Sequence, residues 1–186
     1  MPYLGFGELT LAVIVPAMLL ACWTDLRHHR IPNWLNASLV VGGLSAQTVH
    51  AGWPGLSTGL LGMLVGFGLL ILLWAVHGMG AGDVKFMAAL GAWLGPQCTF
   101  YAVIVGGLAG GVIALAMILY QRSWRQASSN LGVLMMKMGS MKTAFSEFGS
   151  ATNMNGSNAV LPYAIPLSIG TLVVLASDYS GWWEVL

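Results

Sequence analysis

Six acidic side chains occur in this sequence. Asp25 and Asp83 stand out because each sits at the rim of an apolar stretch, Asp25 closing 9–24 and Asp83 opening 84–94. A carboxylate at the edge of a hydrophobic span is costly and is a functional candidate for that reason. Taken singly, each is equally well read as a snorkelling or helix-capping aspartate. A pair converging on one face can do what one acid cannot. In a low-dielectric site two carboxylates do not both ionise easily, so they share a proton. The ionised partner takes a proton from water while the protonated one polarises a carbonyl. This is the chemistry of aspartic proteases, and it needs no metal.

The elements that must carry these acids follow from composition. Apolar residues make up 57% of the chain and charged residues 7%, against about 25% charged in an ordinary soluble domain. Mean hydropathy is +0.78. There is too little charge to coat a water-facing surface, so the lipid bilayer is the expected main solvent. The net charge of +1 gives no bulk field towards nucleic acid. A membrane-spanning helix needs about 20 apolar residues. The apolar stretches predict an all-α, polytopic membrane protein, a single domain over 1–186. About six spans are expected, near 9–24, 34–51, 56–76, 84–94, 99–120 and 161–176. Pro16 is a candidate kink in the first. Without basic residues at its start, the first stretch reads as a span and not as a cleaved signal.

Glycine pairs at GxxxG spacing (Gly62/Gly66, Gly106/Gly110 and Gly107/Gly111) predict close helix packing and no catalytic role. The polar region 121–158 carries Leu131, Leu134, Met135, Met138, Met141, Phe145 and Phe148 at helical spacing. Lys137, Lys142 and Glu147 fall largely on the opposite side. That pattern predicts an amphipathic helix at the membrane interface, followed by a small-residue linker.

Charge sets the orientation. On the six-span frame all seven Lys and Arg residues (Arg27, Arg30, Lys85, Arg122, Arg125, Lys137 and Lys142) lie on one side. By the positive-inside rule that side is the cytoplasm, so both termini face outward and 121–158 is cytoplasmic. Asp25 and Asp83 then share the cytoplasmic face, while Cys22 and Cys98 lie at opposite faces and are not expected to form a disulfide.

The residues around each acid narrow the chemistry. Asp25 leads through Leu26-Arg27-His28-His29-Arg30 into Ile31-Pro32-Asn33, and Asp83 closes Gly80-Ala81-Gly82-Asp83. An Asp-x5-I-P-N segment, a GxGD motif and the run Leu161-Pro162-Tyr163-Ala164-Ile165-Pro166 before Gly170 together resemble the prepilin peptidases (type IV leader peptidases). The resemblance covers nearly the whole chain. It implies a membrane-embedded aspartyl endopeptidase of the bacterial cytoplasmic membrane. Such an enzyme cleaves the leader of a prepilin or pseudopilin after a glycine, ahead of the pilin's hydrophobic segment, at the cytoplasmic membrane face.

Carried over, the pattern makes Asp25 and Asp83 the catalytic pair. Gly80 and Gly82 become positions of close backbone approach, and Lys85 a candidate for substrate contact or local charge. Pro32 and Asn33 read as the start of the second span. Larger family members carry a cytoplasmic insertion between the first two helices, often with CxxC motifs, linked to N-methylation of the mature pilin. Here Arg30 and Trp34 are almost adjacent and CxxC is absent. The chain therefore resembles the short form, similar to the peptidases of tight-adherence (Flp-type) pilus systems, and methyltransferase activity is not expected.

No cofactor or metal is expected. His28 and His29 are adjacent and do not share a helix face, and His50 falls at the opposite membrane side. His77, ahead of the GxGD loop, is a candidate only for adjusting its charge. Two other classes compete: a small transporter or proton channel using the same two acids, and a structural assembly protein. The first usually shows inverted repeats or broken midplane helices; the second leaves the paired acids without a purpose. Within the peptidases, preflagellin-type and presenilin-like GxGD proteases are the alternatives, and the Asp-x5-I-P-N segment favours the prepilin type.

Overall fold

The computed structural model describes residues 4–75, 79–121 and 163–179. Every regular element among them is helical: α1 (Leu4–His28), α2 (Asn33–Ala75), α3 (Ala81–Gln121) and α4 (Ala164–Tyr179). The first three are long and apolar enough to cross a membrane, while α4 carries a shorter apolar stretch, Ala164–Ser177. The expected amphipathic helix, His77 and the basic residues from Arg122 onward lie outside the described residues.

Two of the helices are broken, and glycine is the cause each time. Gly52 interrupts α2 at φ 64°, ψ −140°, with Pro54 two residues on. Gly95 interrupts α3 at φ 74°, ψ 175°, with Pro96 next. Positive φ is easy only for glycine, and the proline that follows removes a backbone donor the helix would need. The described chain thus contains six helical segments. Their breaks fall where the sequence put the boundaries between its second and third, and fourth and fifth, spans. Helix α1 runs through Pro16 as one element and stops at His29, which takes a left-handed φ of 50°. Its last turn holds Arg27, whose positive charge suits a helix C-terminus.

The second limb of α2 folds back on the first. A Cβ on Gly59 would sit 3.0 Å from Leu44 Cδ2, and one on Gly55 would collide with the carbonyl of Gln47. This hairpin packs on the first limb of α3 with almost no space between backbones: Gly62 meets the backbone of Gly91, and Gly66 that of Met87. Small residues allow such approach in lipid, where burying apolar surface gives helices little drive to associate. Trp93 locks the same layer. Its Nε1 donates to the carbonyl of Leu39 at 2.8 Å, and its own carbonyl accepts from Gln47 Nε2 at 2.9 Å, both buried. The second limb of α3 packs on α4, with Gly106 and Gly110 against Pro166 and Gly170 against the backbone of Ala102 and Gly106.

The third glycine pair behaves differently. Gly107 and Gly111 are exposed and have nothing within 4 Å of a Cβ among the described residues. Their GxxxG spacing, expected to mark packing, faces outward here. The interior of this limb is taken by Gly106 and Gly110, one residue round the helix.

Candidate active site

Four chain segments meet around the two acids. Helix α1 brings Asp25 in its last turn, α3 brings Asp83 in its first turn, and the connection 29–32 and the start of α4 close around them. Both carboxylates are buried, at 6% and 7% exposure. They lie close enough for the charge of Asp25 to act on Asp83. The sequence pair is therefore a spatial pair.

Local structure explains how each acid is presented. The carbonyl of Gly80 accepts from the backbone N–H groups of Asp83 (3.2 Å) and Val84 (3.5 Å), which starts α3 on the GxGD segment. Asp83 thus sits in the first helical turn, where a negative side chain suits the helix dipole. Gly80 matters sterically, since a Cβ there would lie 3.0 Å from Asp83 Oδ2. Gly82 approaches the Asp-x5-I-P-N segment instead. A Cβ would lie 3.5 Å from the backbone nitrogen of Ile31, which is ordinary van der Waals contact. The two motifs are therefore packed against each other.

The same two segments are joined by a polar contact. Lys85 Nζ donates to Asn33 Oδ1 at 3.3 Å on the exposed side. Lys85 stands two residues beyond Asp83 in the same first turn of α3. Asn33 begins α2, as read from the sequence, and the carbonyl of Pro32 accepts from the backbone N–H groups of Leu35 and Asn36.

The start of α4 contributes groups that sequence reasoning passed over. The backbone N–H of Ala164 donates to Asp25 Oδ2 at 3.1 Å in a buried bond. One turn on, Ser168 accepts a hydrogen bond from the Cys22 thiol at 3.4 Å. Tyr163 is half-buried and lies close enough to Asp83 to feel its charge. The Leu161–Pro166 run read as the start of a last helix; nothing in its residue types announced a backbone donor for Asp25. His28 ends α1 three residues past Asp25, His29 opens the α1–α2 connection, and His50 lies near the far end of the first α2 limb. Cys22 and Cys98 are not joined in a disulfide.

A model of the type IV leader peptidase family matches residues 12–115. That range takes in α1 from its middle, both limbs of α2 and most of α3, with Asp25 and Asp83. Curated proteins described as "Prepilin leader peptidase/N-methyltransferase" are similar over more than half of the chain. The one from Aeromonas salmonicida (strain A449) is 29% identical over 125 residues, covering 62% of this chain and 42% of its own length. That of Xanthomonas campestris pv. campestris is 34% identical over 116 residues, covering 59% and 39%. That of Neisseria gonorrhoeae is 34% identical over 122 residues, covering 61% and 42%. The chain thus matches less than half the length of these relatives. No solved structure matches it.

Proposed function

Because the chain belongs to the type IV leader peptidase family, we propose that it is a membrane-embedded aspartyl endopeptidase that removes the leader of a Flp-type prepilin. The observation that carries the reading is the buried juxtaposition of Asp25 and Asp83 at adjoining helix ends.

In this reaction the ionised aspartate takes a proton from water, and the resulting oxygen attacks the scissile carbonyl. The protonated aspartate gives its proton to the carbonyl oxygen, forming a tetrahedral diol. Proton return to the departing nitrogen breaks the C–N bond, and the pair resumes one shared proton. Burial supports this, because two like charges taken out of water gain by holding a proton between them. Asp25 and Asp83 are the catalytic pair, Gly80 keeps space beside the Asp83 carboxylate, and Gly82 seats the Ile31 segment. Lys85, held by Asn33 at the exposed edge, suits contact with the substrate.

The partner is a prepilin or pseudopilin whose apolar segment lies in the bilayer. The relatives' printed name also includes N-methyltransferase. The short α1–α2 connection, from His28 to Asn33, leaves no room for the insertion linked to that second activity, and we assign the chain peptidase activity alone. The direct test is co-expression with a Flp-type prepilin and a mobility-shift assay of leader removal. An unprocessed precursor beside well-accumulated wild-type protein would overturn the assignment.

Six membrane crossings follow if α2 and α3 each cross twice, turning at Gly52 and Gly95. All seven basic residues then lie on the cytoplasmic side, in the bacterial cytoplasmic membrane, with both termini outward. Reporter fusions within 121–158 should give cytoplasmic signals, and fusions at either terminus periplasmic ones. A periplasmic signal from 121–158 would break this topology.

Water activation by two carboxylates draws on no other group. Purified protein treated with a chelator should therefore process a prepilin at the untreated rate. Loss of activity that returns with zinc would count against the mechanism.

A further inference from the structure

Helices α1 and α4 touch through two polar contacts spaced one helical turn apart, and both are buried or partly buried. On α4, Ala164 and Ser168 are four residues apart; on α1, Asp25 and Cys22 are three apart. The contacts run antiparallel: Asp25 meets Ala164, and Cys22 meets Ser168. Residues at such spacings lie on one face of a helix, so these contacts fix both the rotation of α1 and its height against α4.

The donor on α4 is free for a structural reason. The first helical N–H groups have no intrahelical acceptor. The α4 ladder begins only with Leu167 N–H donating to the carbonyl of Tyr163 at 3.2 Å. Pro166 has no N–H to satisfy, and Ala164, fully buried, spends its own on Asp25. Among the described residues Oδ2 of Asp25 takes this bond and Oδ1 takes none. One oxygen is thereby anchored.

We propose that the N-terminal part of α4, from Ala164 to Ser168, is the positioning device of the site. In it the Ala164 amide aims the Asp25 carboxylate, and the Cys22–Ser168 hydrogen bond holds α1 in the register that allows it. Cys22, Ala164 and Ser168 are positioning residues, since they act through Asp25. The inference rests on the two-aspartate reading above. Its reach is large because general-base chemistry is sensitive to placement: an error of about 1 Å can cost about 100-fold.

The test uses the full-length protein in membranes and a synthetic prepilin carrying a leader, a glycine at the cut and the following apolar segment. Cys22→Ala and Ser168→Ala should each lower kcat about tenfold and leave KM within about twofold, which marks loss of an interaction made in the transition state. Because the two share one bond, the double variant should be no slower than either single. Cys22→Ser retains a donor and should recover to within about threefold of wild type. Ala164→Pro removes the N–H at a helix position where proline is tolerated, and should lower kcat about 100-fold. Ala164→Gly keeps the donor and should stay within about threefold of wild type.

Wild-type kcat in both Ser168→Ala and Ala164→Pro, or effects confined to KM, would overturn the proposal. If Ala164→Pro does not accumulate, the Cys22 and Ser168 set decides alone: wild-type rates refute the device, and a kcat loss rescued by Cys22→Ser upholds it. Asp25→Asn is assayed in parallel. An inactive Asp25→Asn beside normal Ser168→Ala and Ala164→Pro refutes only the positioning role, whereas an active Asp25→Asn refutes the catalytic pair itself.

Discussion

Asp25→Asn and Asp83→Asn should each reduce prepilin processing by about 10³-fold or more, with protein level unchanged. Asparagine is nearly isosteric with aspartate and keeps hydrogen-bonding capacity, yet it neither takes a proton from water nor holds one to give. At Asp25 the amide oxygen still accepts from Ala164 N–H, so the helix ends stay docked. Both side chains are more than nine-tenths buried, and removing a charge from such surroundings does not burden folding. Residues that act as one unit are non-additive, so the double variant should be scarcely slower than either single. Glu147→Gln provides the contrast. As the only other acid that the proposed topology puts on the cytoplasmic face, it should leave most of the activity. Processing is read as a mobility shift of the precursor, with immunodetection of the enzyme in parallel. Normal processing by either asparagine variant would remove the basis for an aspartyl mechanism.

The second large effect concerns stability. Gly62→Ala should sharply reduce accumulation of the folded protein, by an overpacking cost of about 1–3 kcal/mol or more. A Cβ at Gly62 would collide with the carbonyl oxygen of Gly91 and lie 2.8 Å from Gly95 Cα. Both are backbone atoms of α3, which cannot rotate away as a side chain would. The α2 hairpin and the first limb of α3 would have to separate, and Trp93 would lose its bonds to Leu39 and Gln47. Gly107→Ala, in an identical GxxxG setting, should be neutral, since no atom lies within 4 Å of that Cβ among the described residues. Thermal unfolding in detergent, monitored by fluorescence of the tryptophans, distinguishes the two. Equal stability of Gly62→Ala and Gly107→Ala would contradict the packing described for α2 and α3.

That pair of glycine variants also marks how far spacing can be read. Four-residue separation puts Gly106 with Gly110 and Gly107 with Gly111 equally well, because it fixes which residues share a face and not which way the face points. Direction is decided by what α4 offers: Pro166 and Leu167 fill the groove over Gly106, and the neighbouring stripe is left outside. Gly52 and Gly95 were legible in part for a local reason. Each stands just before a proline in a short break between apolar stretches, and both φ values are ones that glycine supplies without a tertiary partner. Helix α1 shows the reverse, running on as one element through Pro16.

For the candidate site, residue type and position along the chain were enough to single out Asp25 and Asp83. Acids are rare in a chain that must satisfy lipid, and an acid at the rim of a span has few structural uses. The motif around Gly80 was legible in the same way, since its carbonyl starts the helix that carries Asp83 locally. The burial of both carboxylates, the packing of Ile31 against Gly82 and the bond from Lys85 to Asn33 required the helices to be assembled. The Ala164 amide is the clearest case of what tertiary structure alone decided. Every residue but proline has a backbone N–H, so no side chain advertises one that is free. Its acceptor lies far away in sequence, and only the docking of α4 beside α1 brings an unpaired helix-terminal donor to Asp25.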